Sequence, residues 1–184
     1  MKLSKDYKYN ILCEDKLTHC FIRRFLISQG VNARKINALP LPAAGCGEQY
    51  VRTQYPKQLS YLRSTSYVSN ILVVVIDADF NTCIERQKQL DEACDNAGVD
   101  KRNSKDKLLL LVPKRNIETW IKYFDGETVD EEHDYAHFLN GHESDCYNSA
   151  DKMAAEFSQT SFSSELSSLQ FAYQEYTQLV KKIS

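Results

Sequence analysis

The segment Asn70-Ile-Leu-Val-Val-Val-Ile-Asp77-Ala-Asp79 decides the fold class of this chain. Its branched apolar residues 71–75 follow one another without any alternation of apolar and polar side chains. A strand that is buried on both faces has this composition, and such strands are typical of parallel α/β sheets. The sequence therefore predicts a central parallel strand that ends in two carboxylates, Asp77 and Asp79.

Three further segments complete the predicted sheet. A strand is predicted at residues 7–12, a short extended segment at residues 36–41, and a second fully buried strand at residues 108–112. Stretches with the helical spacing of apolar residues separate them, and the stretch at residues 48–63 contains Pro56, which should kink or divide its helix. The order β-α-β-α-β-α-β predicts right-handed crossovers and a parallel four-stranded sheet with flanking helices.

The chain divides into two parts by composition. Residues 1–126 are predicted to form the α/β domain, whereas residues 127–184 are predicted to form an acidic loop and a C-terminal helical extension. The extension has two helices, near residues 148–157 and 164–183. The last helix carries an apolar stripe formed by Leu166, Leu169, Tyr173, Tyr176 and Val180. Such a stripe packs on the parent core or forms an interface with a partner.

Charge and cysteine usage exclude several classes of protein. The 23 basic and 25 acidic residues leave a net charge of −2, so nucleic-acid binding requires a local basic patch, a metal or a partner. The six cysteines form no CxxC pair, which predicts reduced thiols and a cytoplasmic location. No apolar run approaches the length of about 20 residues that crosses a membrane, so no membrane association is expected.

Acidic residues stand at the ends of two predicted strands. Glu14 follows the first strand, and Asp77 and Asp79 follow the third. Ligands of open α/β sheets bind outside the carboxyl ends of the strands, so these side chains should converge on one edge. Carboxylates gathered in one place repel one another unless a hard cation such as Mg²⁺ neutralises them. An isolated Asp-x-Asp is also compatible with simple capping or turn formation.

Three residues after the fourth strand extend this edge. Glu118 lies six residues beyond Val112, and Lys114 and Arg115 precede it on the same predicted rim. Glu118 could complete the acidic site, or it could be placed favourably against the dipole of the helix that it begins. Lys114 and Arg115 could hold a phosphate, or they could be solvated loop charges.

Three stretches together resemble a known family. They are "LCEDKLTHCFIRRFL" at residues 12–26, "VVVIDADFNT" at residues 73–82 and "LLLVPKRNIETWI" at residues 109–121. A glutamate after the first strand and an Asp-x-Asp after the third resemble the TOPRIM domain of topoisomerases, primases and OLD-type nucleases. More closely, residues 7–124 resemble the small stand-alone TOPRIM-like proteins of prokaryotic defence loci, which are often encoded beside an ABC- or SMC-like ATPase.

The resemblance implies a TOPRIM/Rossmann-like fold and Mg²⁺- or Mn²⁺-dependent hydrolysis of phosphodiester bonds in DNA. Glu14 would be a metal ligand or a general base, and Asp77 and Asp79 would be metal ligands. Glu118 would complete a second metal position, while Lys114 and Arg115 would bind the substrate backbone. The implied partner is the ATPase of an anti-phage complex, and the sequence leaves the oligomeric state open.

The sequence departs from the family pattern at three positions. Asp15 replaces the usual glycine of the first motif, Thr18 stands where a second acid is expected, and Asn81 replaces a third aspartate. These changes keep a non-catalytic partner subunit as an alternative. A nucleotide-sugar transferase also uses a strand-terminal Asp-x-Asp, but it gives Glu14 no role. A phosphatase of the haloacid dehalogenase type needs its aspartate after the first strand, where this chain has Glu14.

Overall fold

A four-stranded parallel sheet forms the centre of the molecule. The computed structural model describes residues 2–43, 45–135 and 143–183. The strands are β1 (Lys8–Leu12), β2 (Ile36–Ala38), β3 (Asn70–Val75) and β4 (Leu108–Leu111). They lie in the order β2-β1-β3-β4, and every pairing is parallel. The predicted α/β class with a parallel four-stranded sheet is confirmed.

Six helices flank this sheet. They are α1 (Lys16–Ser28), α2 (Gly47–Ser64), α3 (Cys83–Asn96), α4 (Ile117–Asp125), α5 (Tyr147–Phe157) and α6 (Ser167–Ile183). The helix α2 continues through Pro56, so the proline does not divide it. Pro56 and its neighbour Tyr55 are buried, and this packing offsets the backbone hydrogen bond that a proline cannot make. None of the described helices is long and apolar enough to cross a membrane.

The central strand β3 explains why its sequence shows no alternation. It pairs with β1 on one side and β4 on the other, and all six of its residues are buried. Successive side chains of a strand point to opposite faces. Accordingly, Ile71, Val73 and Val75 belong to one apolar cluster, and Leu72 and Val74 belong to another. Both faces of β3 therefore need apolar residues.

The C-terminal helices pack on the sheet domain. The apolar cluster on one face of the sheet includes residues of α1, α4, α5 and α6, whereas α2 and α3 cover the other face. The ring of Phe157 lies 5.8 Å from that of Phe25 and 5.4 Å from that of Tyr176. The Tyr176 hydroxyl donates to Gln29 Oε1 at 2.7 Å, and Gln29 Nε2 donates to the carbonyl of Ala154 at 2.6 Å. Residues on either side of the 126/127 boundary thus share one core.

We expect Phe157→Ala to destabilise the whole protein. The side chain is fully buried between α1 and α6, so its removal should cost about 3–5 kcal/mol through lost burial and a cavity. Phe80→Ala is the matched control, because the Phe80 side chain is 87% exposed and its loss should change stability little. Denaturant unfolding should give a single transition for both variants. A separate, early transition in Phe157→Ala would show that α5 and α6 unfold independently of the sheet.

Candidate functional site

Glu14 and Asp77 meet at the carboxyl edge of the two central strands. Glu14 follows β1 by two residues, and Asp77 follows β3 by two residues. The backbone N–H of Asp77 donates a hydrogen bond of 2.7 Å to Glu14 Oε1. Because β1 and β3 are parallel neighbours in register from Lys8 to Leu12, both strands end at the same edge. The structure therefore brings together two of the acids that the sequence analysis selected.

Asp15 has a structural task at the start of α1. Its side chain accepts hydrogen bonds from the backbone N–H of Thr18 at 2.8 Å and from the Thr18 hydroxyl at 2.9 Å. A carboxylate in this position satisfies an N–H group that has no partner within the helix. Asp15 and Thr18, the two departures from the first TOPRIM motif, thus form the N-cap of α1.

The first residue of α2 lies directly against Glu14. A Cβ atom added to Gly47 would be 2.7 Å from Glu14 Cβ and 3.0 Å from Glu14 Oε2. Only a residue without a side chain fits at this distance, so the start of α2 covers one side of the Glu14 carboxylate. The helix predicted at residues 48–63 begins one residue too late to include Gly47, so the contact with Glu14 was not predicted. A glycine at the first position of a helix was the available signal.

Burial and mutual repulsion perturb both carboxyls. Burial is the main reason that the pKa of Glu14 rises to about 7, and the charge of Asp79 adds to the effect. The hydrogen bond from the Asp77 N–H and the positive charge of Arg86 act in the opposite direction. Burial and then the charge of Glu14 raise the pKa of Asp77 well above its ordinary value. The pair therefore favours a proton or a bound cation over two uncompensated charges.

Asp79 is engaged by a buried arginine of α3. Arg86 is only 2% exposed, and its Nη2 donates to Asp79 Oδ2 at 2.8 Å. Its Nη1 donates to Glu48 and, at 2.7 Å, to Gln89. Arg86 and Glu48 were not among the site residues predicted from the sequence. The detectable signal was a charged residue within the buried stripe of α3, which comprises Cys83, Arg86, Leu90 and Cys94.

Lys114 and Arg115 lie on the loop between β4 and α4, which contacts the loop that carries the Asp-x-Asp motif. Lys114 Nζ donates to the carbonyl of Asn81 at 3.0 Å. Arg115 forms an isolated antiparallel bridge with Asp79, and its guanidinium lies 4.2 Å from the centre of the Phe80 ring. Both basic residues are thus on the same rim as the acids. Lys114 holds the loop that follows β3, whereas the Arg115 guanidinium lies against Phe80, the exposed aromatic residue of that loop.

Glu118 lies near the acid pair but on another element. It is in the first turn of α4, which Asn116 caps by accepting from the Thr119 N–H at 3.3 Å. Glu118 is half-buried, and its charge is one of the causes that raise the pKa of Asp77. It therefore contributes negative potential to the site, and its place in the first turn is also favourable for the helix dipole.

The described residues contain no group of three or more His, Cys, Asp or Glu side chains that could hold a metal ion. The hydrogen bonds explain part of this result. Glu14 Oε1 already accepts from the Asp77 N–H, and Asp79 Oδ2 accepts from Arg86. The oxygens that remain for a cation are Glu14 Oε2, the Asp77 carboxylate and Asp79 Oδ1.

Comparison with known proteins gives no relative for this chain. No family model, no curated protein and no solved structure matches it. The TOPRIM resemblance therefore rests on the three stretches of sequence quoted above. The chemistry of the site has to be inferred from its own residues and their geometry.

We expect the acid pair to make the protein less stable as pH rises in metal-free buffer. Folding raises the pKa of Glu14 from 4.5 to about 7, so the unfolded state loses its proton first as pH increases. Glu14→Gln keeps an acceptor for the Asp77 N–H but cannot ionise. Its stability relative to the parent should be similar near pH 4 and on the order of 2 kcal/mol higher at pH 8.

Denaturant unfolding at several pH values in the presence of EDTA measures this difference. Asp77→Asn should behave like Glu14→Gln, because burial also raises the pKa of Asp77. Glu165→Gln, which alters an exposed carboxylate before α6, is the control and should follow the parent at every pH. If the free energies of unfolding of Glu14→Gln and the parent differ by the same amount at every pH, the pKa of Glu14 is not raised by folding.

We expect Gly47→Ala to destabilise the protein, although alanine is normally the better helix former. The new methyl group would meet Glu14 Cβ at 2.7 Å, and such overpacking costs about 1–3 kcal/mol. The double variant Gly47→Ala/Glu14→Gly removes the opposing Cβ, so the penalty of Gly47→Ala should be smaller in that background. Equal penalties in both backgrounds would exclude the contact.

Proposed function

We propose that this chain is a divalent-metal-dependent nuclease that hydrolyses phosphodiester bonds in DNA. The observation that carries the proposal is the Glu14–Asp77 pair at the carboxyl edge of the sheet. Both carboxyls have raised pKa values, and within the described ranges no cationic side chain forms an ion pair with Asp77. A bound cation removes this conflict of charges, and phosphate groups need the same cation as they approach an acidic site.

The available oxygens suit Mg²⁺ or Mn²⁺, because they are too few to surround an ion that takes all of its ligands from the protein. Mg²⁺ usually keeps several water molecules and is held by one or two carboxylates together with substrate phosphates. We assign Glu14 Oε2 and the Asp77 carboxylate as two such ligands, with Asp79 Oδ1 as a third that the structure does not bring together with them. The absence of a group of three ready ligands in the described part of the chain is therefore compatible with a site completed by the substrate.

Each residue of the edge has a role in this proposal. When bound, the metal ion supplies Lewis-acid activation of the phosphate and of the attacking water. Asp77 and Asp79 would hold the ion, while Glu14 would be a further ligand or would accept the proton of the water. Glu118 adds negative potential at a second metal position, and Arg115 binds the substrate phosphate.

The charge of the chain supports action within a complex. A net charge of −2 gives little general attraction to DNA, and Lys114 and Arg115 supply only local positive charge. We propose that an ABC- or SMC-like ATPase subunit brings the DNA to this site in an antiviral defence complex, as the TOPRIM resemblance implies. The isolated chain should then show low activity that falls steeply with salt.

A non-catalytic partner subunit is the second candidate function. The ion pair between Arg86 and Asp79 favours it, because a buried guanidinium already neutralises one of the three acids. In that case Arg86 replaces the metal ion, and Asp79 serves to fix the loop that precedes α3.

We expect Asp77→Asn and Glu14→Gln to remove both metal binding and cleavage. Loss of a group that merely orients a metal ligand costs about 10–100-fold in affinity or activity, so loss of a ligand itself should cost at least as much. The measurements are the rise in melting temperature on adding Mg²⁺ or Mn²⁺ and the cleavage of plasmid DNA, for the chain alone and with its ATPase.

Glu165→Gln is the control for these measurements, since it removes one exposed negative charge far from the acids in sequence. It should bind metal and cleave like the parent. Cleavage by Asp77→Asn and Glu14→Gln at the parental rate would reject the nuclease and leave the non-catalytic subunit. An unchanged metal-induced shift in both variants would place the ion elsewhere.

A further inference from the structure

Phe80 is the most exposed large apolar side chain of the described residues. It follows Asp79 directly, and its side chain is 87% exposed. The residues around it are polar or charged, including Asn81, Lys114 and Arg115. An aromatic ring in this position contributes nothing to the core, so packing does not account for it.

The backbone holds Phe80 in a defined position. Asp79 and Arg115 form an antiparallel bridge, and both have positive φ angles, 52° and 67°. A non-glycine residue in this conformation costs of order 1 kcal/mol or more, and such residues cluster at functional sites. On the other side of Phe80, the Asn81 N–H donates to the carbonyl of Ala78 at 2.8 Å, and Lys114 binds the carbonyl of Asn81. The exposed ring is therefore carried by an ordered loop.

Arg115 differs from the other arginine near the site. All of the hydrogen bonds of Arg86 go to protein groups, among them Glu48 and Asp79. By contrast, no acceptor among the described residues binds the Arg115 guanidinium, which lies 4.2 Å from the centre of the Phe80 ring. The Nε of Arg115 is buried, but a guanidinium stacked on an aromatic ring keeps its terminal N–H groups available in the ring plane, and these donors match the oxygens of a phosphate.

We propose that Phe80 and Arg115 form a platform on which an unpaired base stacks while Arg115 binds the adjacent backbone phosphate. The substrate is then single-stranded nucleic acid, or a locally unpaired region of a duplex. Bases within a duplex are already stacked and cannot reach an isolated ring, whereas single strands bind through aromatic stacking and positive charge. A single strand would thus be the substrate of the proposed nuclease. Its cleavage rests on the proposed function, whereas its binding to Phe80 and Arg115 does not.

The position of the platform relative to the acids supports this substrate. Phe80 is adjacent to Asp79 in sequence and three residues from Asp77, so a base stacked on the ring would bind at the loop that also carries these two acids. Arg115 contacts both the acid and the aromatic ring, since its backbone bridges to Asp79 and its guanidinium lies over Phe80. Base binding and phosphate chemistry thus share one loop.

Binding without cleavage tests the platform. Fluorescence anisotropy in EDTA at low salt compares a labelled single-stranded oligonucleotide with a duplex of the same length. The parent should prefer the single strand, and Phe80→Ala should weaken single-strand binding roughly 5- to 100-fold, the range for loss of one stacked base. Phe80→Trp should restore binding. Arg115→Ala should weaken binding and reduce its dependence on salt, by a slope of about 1.

Two controls separate stacking from general effects. Tyr67→Ala removes an aromatic side chain that is 85% exposed but precedes β3, at the opposite edge of the sheet, and it should bind like the parent. An oligonucleotide with abasic sites should bind the parent as weakly as the intact strand binds Phe80→Ala. Phe80→Ala should bind the abasic strand and the intact strand with the same affinity.

Equal affinity of Phe80→Ala and the parent for the single strand would overturn the platform and leave Phe80 as a contact for a protein partner. Absence of single-strand binding by the parent would also overturn it. The metal-dependent chemistry has a separate readout, because Asp77→Asn should keep Phe80-dependent binding and lose cleavage. If the parent binds single strands through Phe80 but cleaves no nucleic acid with Mg²⁺ or Mn²⁺, either alone or with the ATPase subunit, the platform stands and the nuclease proposal fails.

Discussion

Complete burial of β3 is the constraint on which the other features of the molecule depend. A strand that is buried on both faces needs apolar layers above and below, and α1, α4, α5 and α6 provide one layer while α2 and α3 provide the other. Parallel pairing with β1 and β4 then places all the strand ends at one edge. Polar residues can begin only where β3 ends, so Asp77 stands at the boundary between the core and the loop.

The electrostatics of the edge follow from this boundary position. Asp77 is close enough to the core for burial to raise its pKa, and Glu14 accepts a hydrogen bond from its N–H. Arg86 is the buried counter-charge of the region, yet it binds Asp79 and Glu48 and forms no ion pair with Asp77. The structure therefore contains one acid with a direct ion pair, Asp79, and a pair of acids without one, Glu14 and Asp77. This difference is why Glu14 and Asp77 are the better test of metal binding than Asp79.

Much of the site could be predicted, because a parallel sheet places the residues that follow each strand at the same edge. Glu14, Asp77, Lys114 and Arg115 were all expected on one edge, and each follows a strand of the same parallel sheet. Their individual roles could not be anticipated. Lys114 binds a backbone carbonyl and Arg115 stacks on Phe80, a distinction set by positive φ angles in two loops that meet only in the folded chain.

The sequence by itself determined the α/β class, the parallel sheet and the edge that gathers the acids, because hydrophobic periodicity and the succession of strands and helices can be read along the chain. Only the tertiary structure decided which acids are compensated. Arg86 on α3 meets Glu48 on α2, and Gly47 closes on Glu14 after β1, contacts between residues 33 to 38 positions apart. Such contacts depend on how helices pack across a sheet face. The spacing of residues along one helix does not identify which residues of a neighbouring helix will contact it.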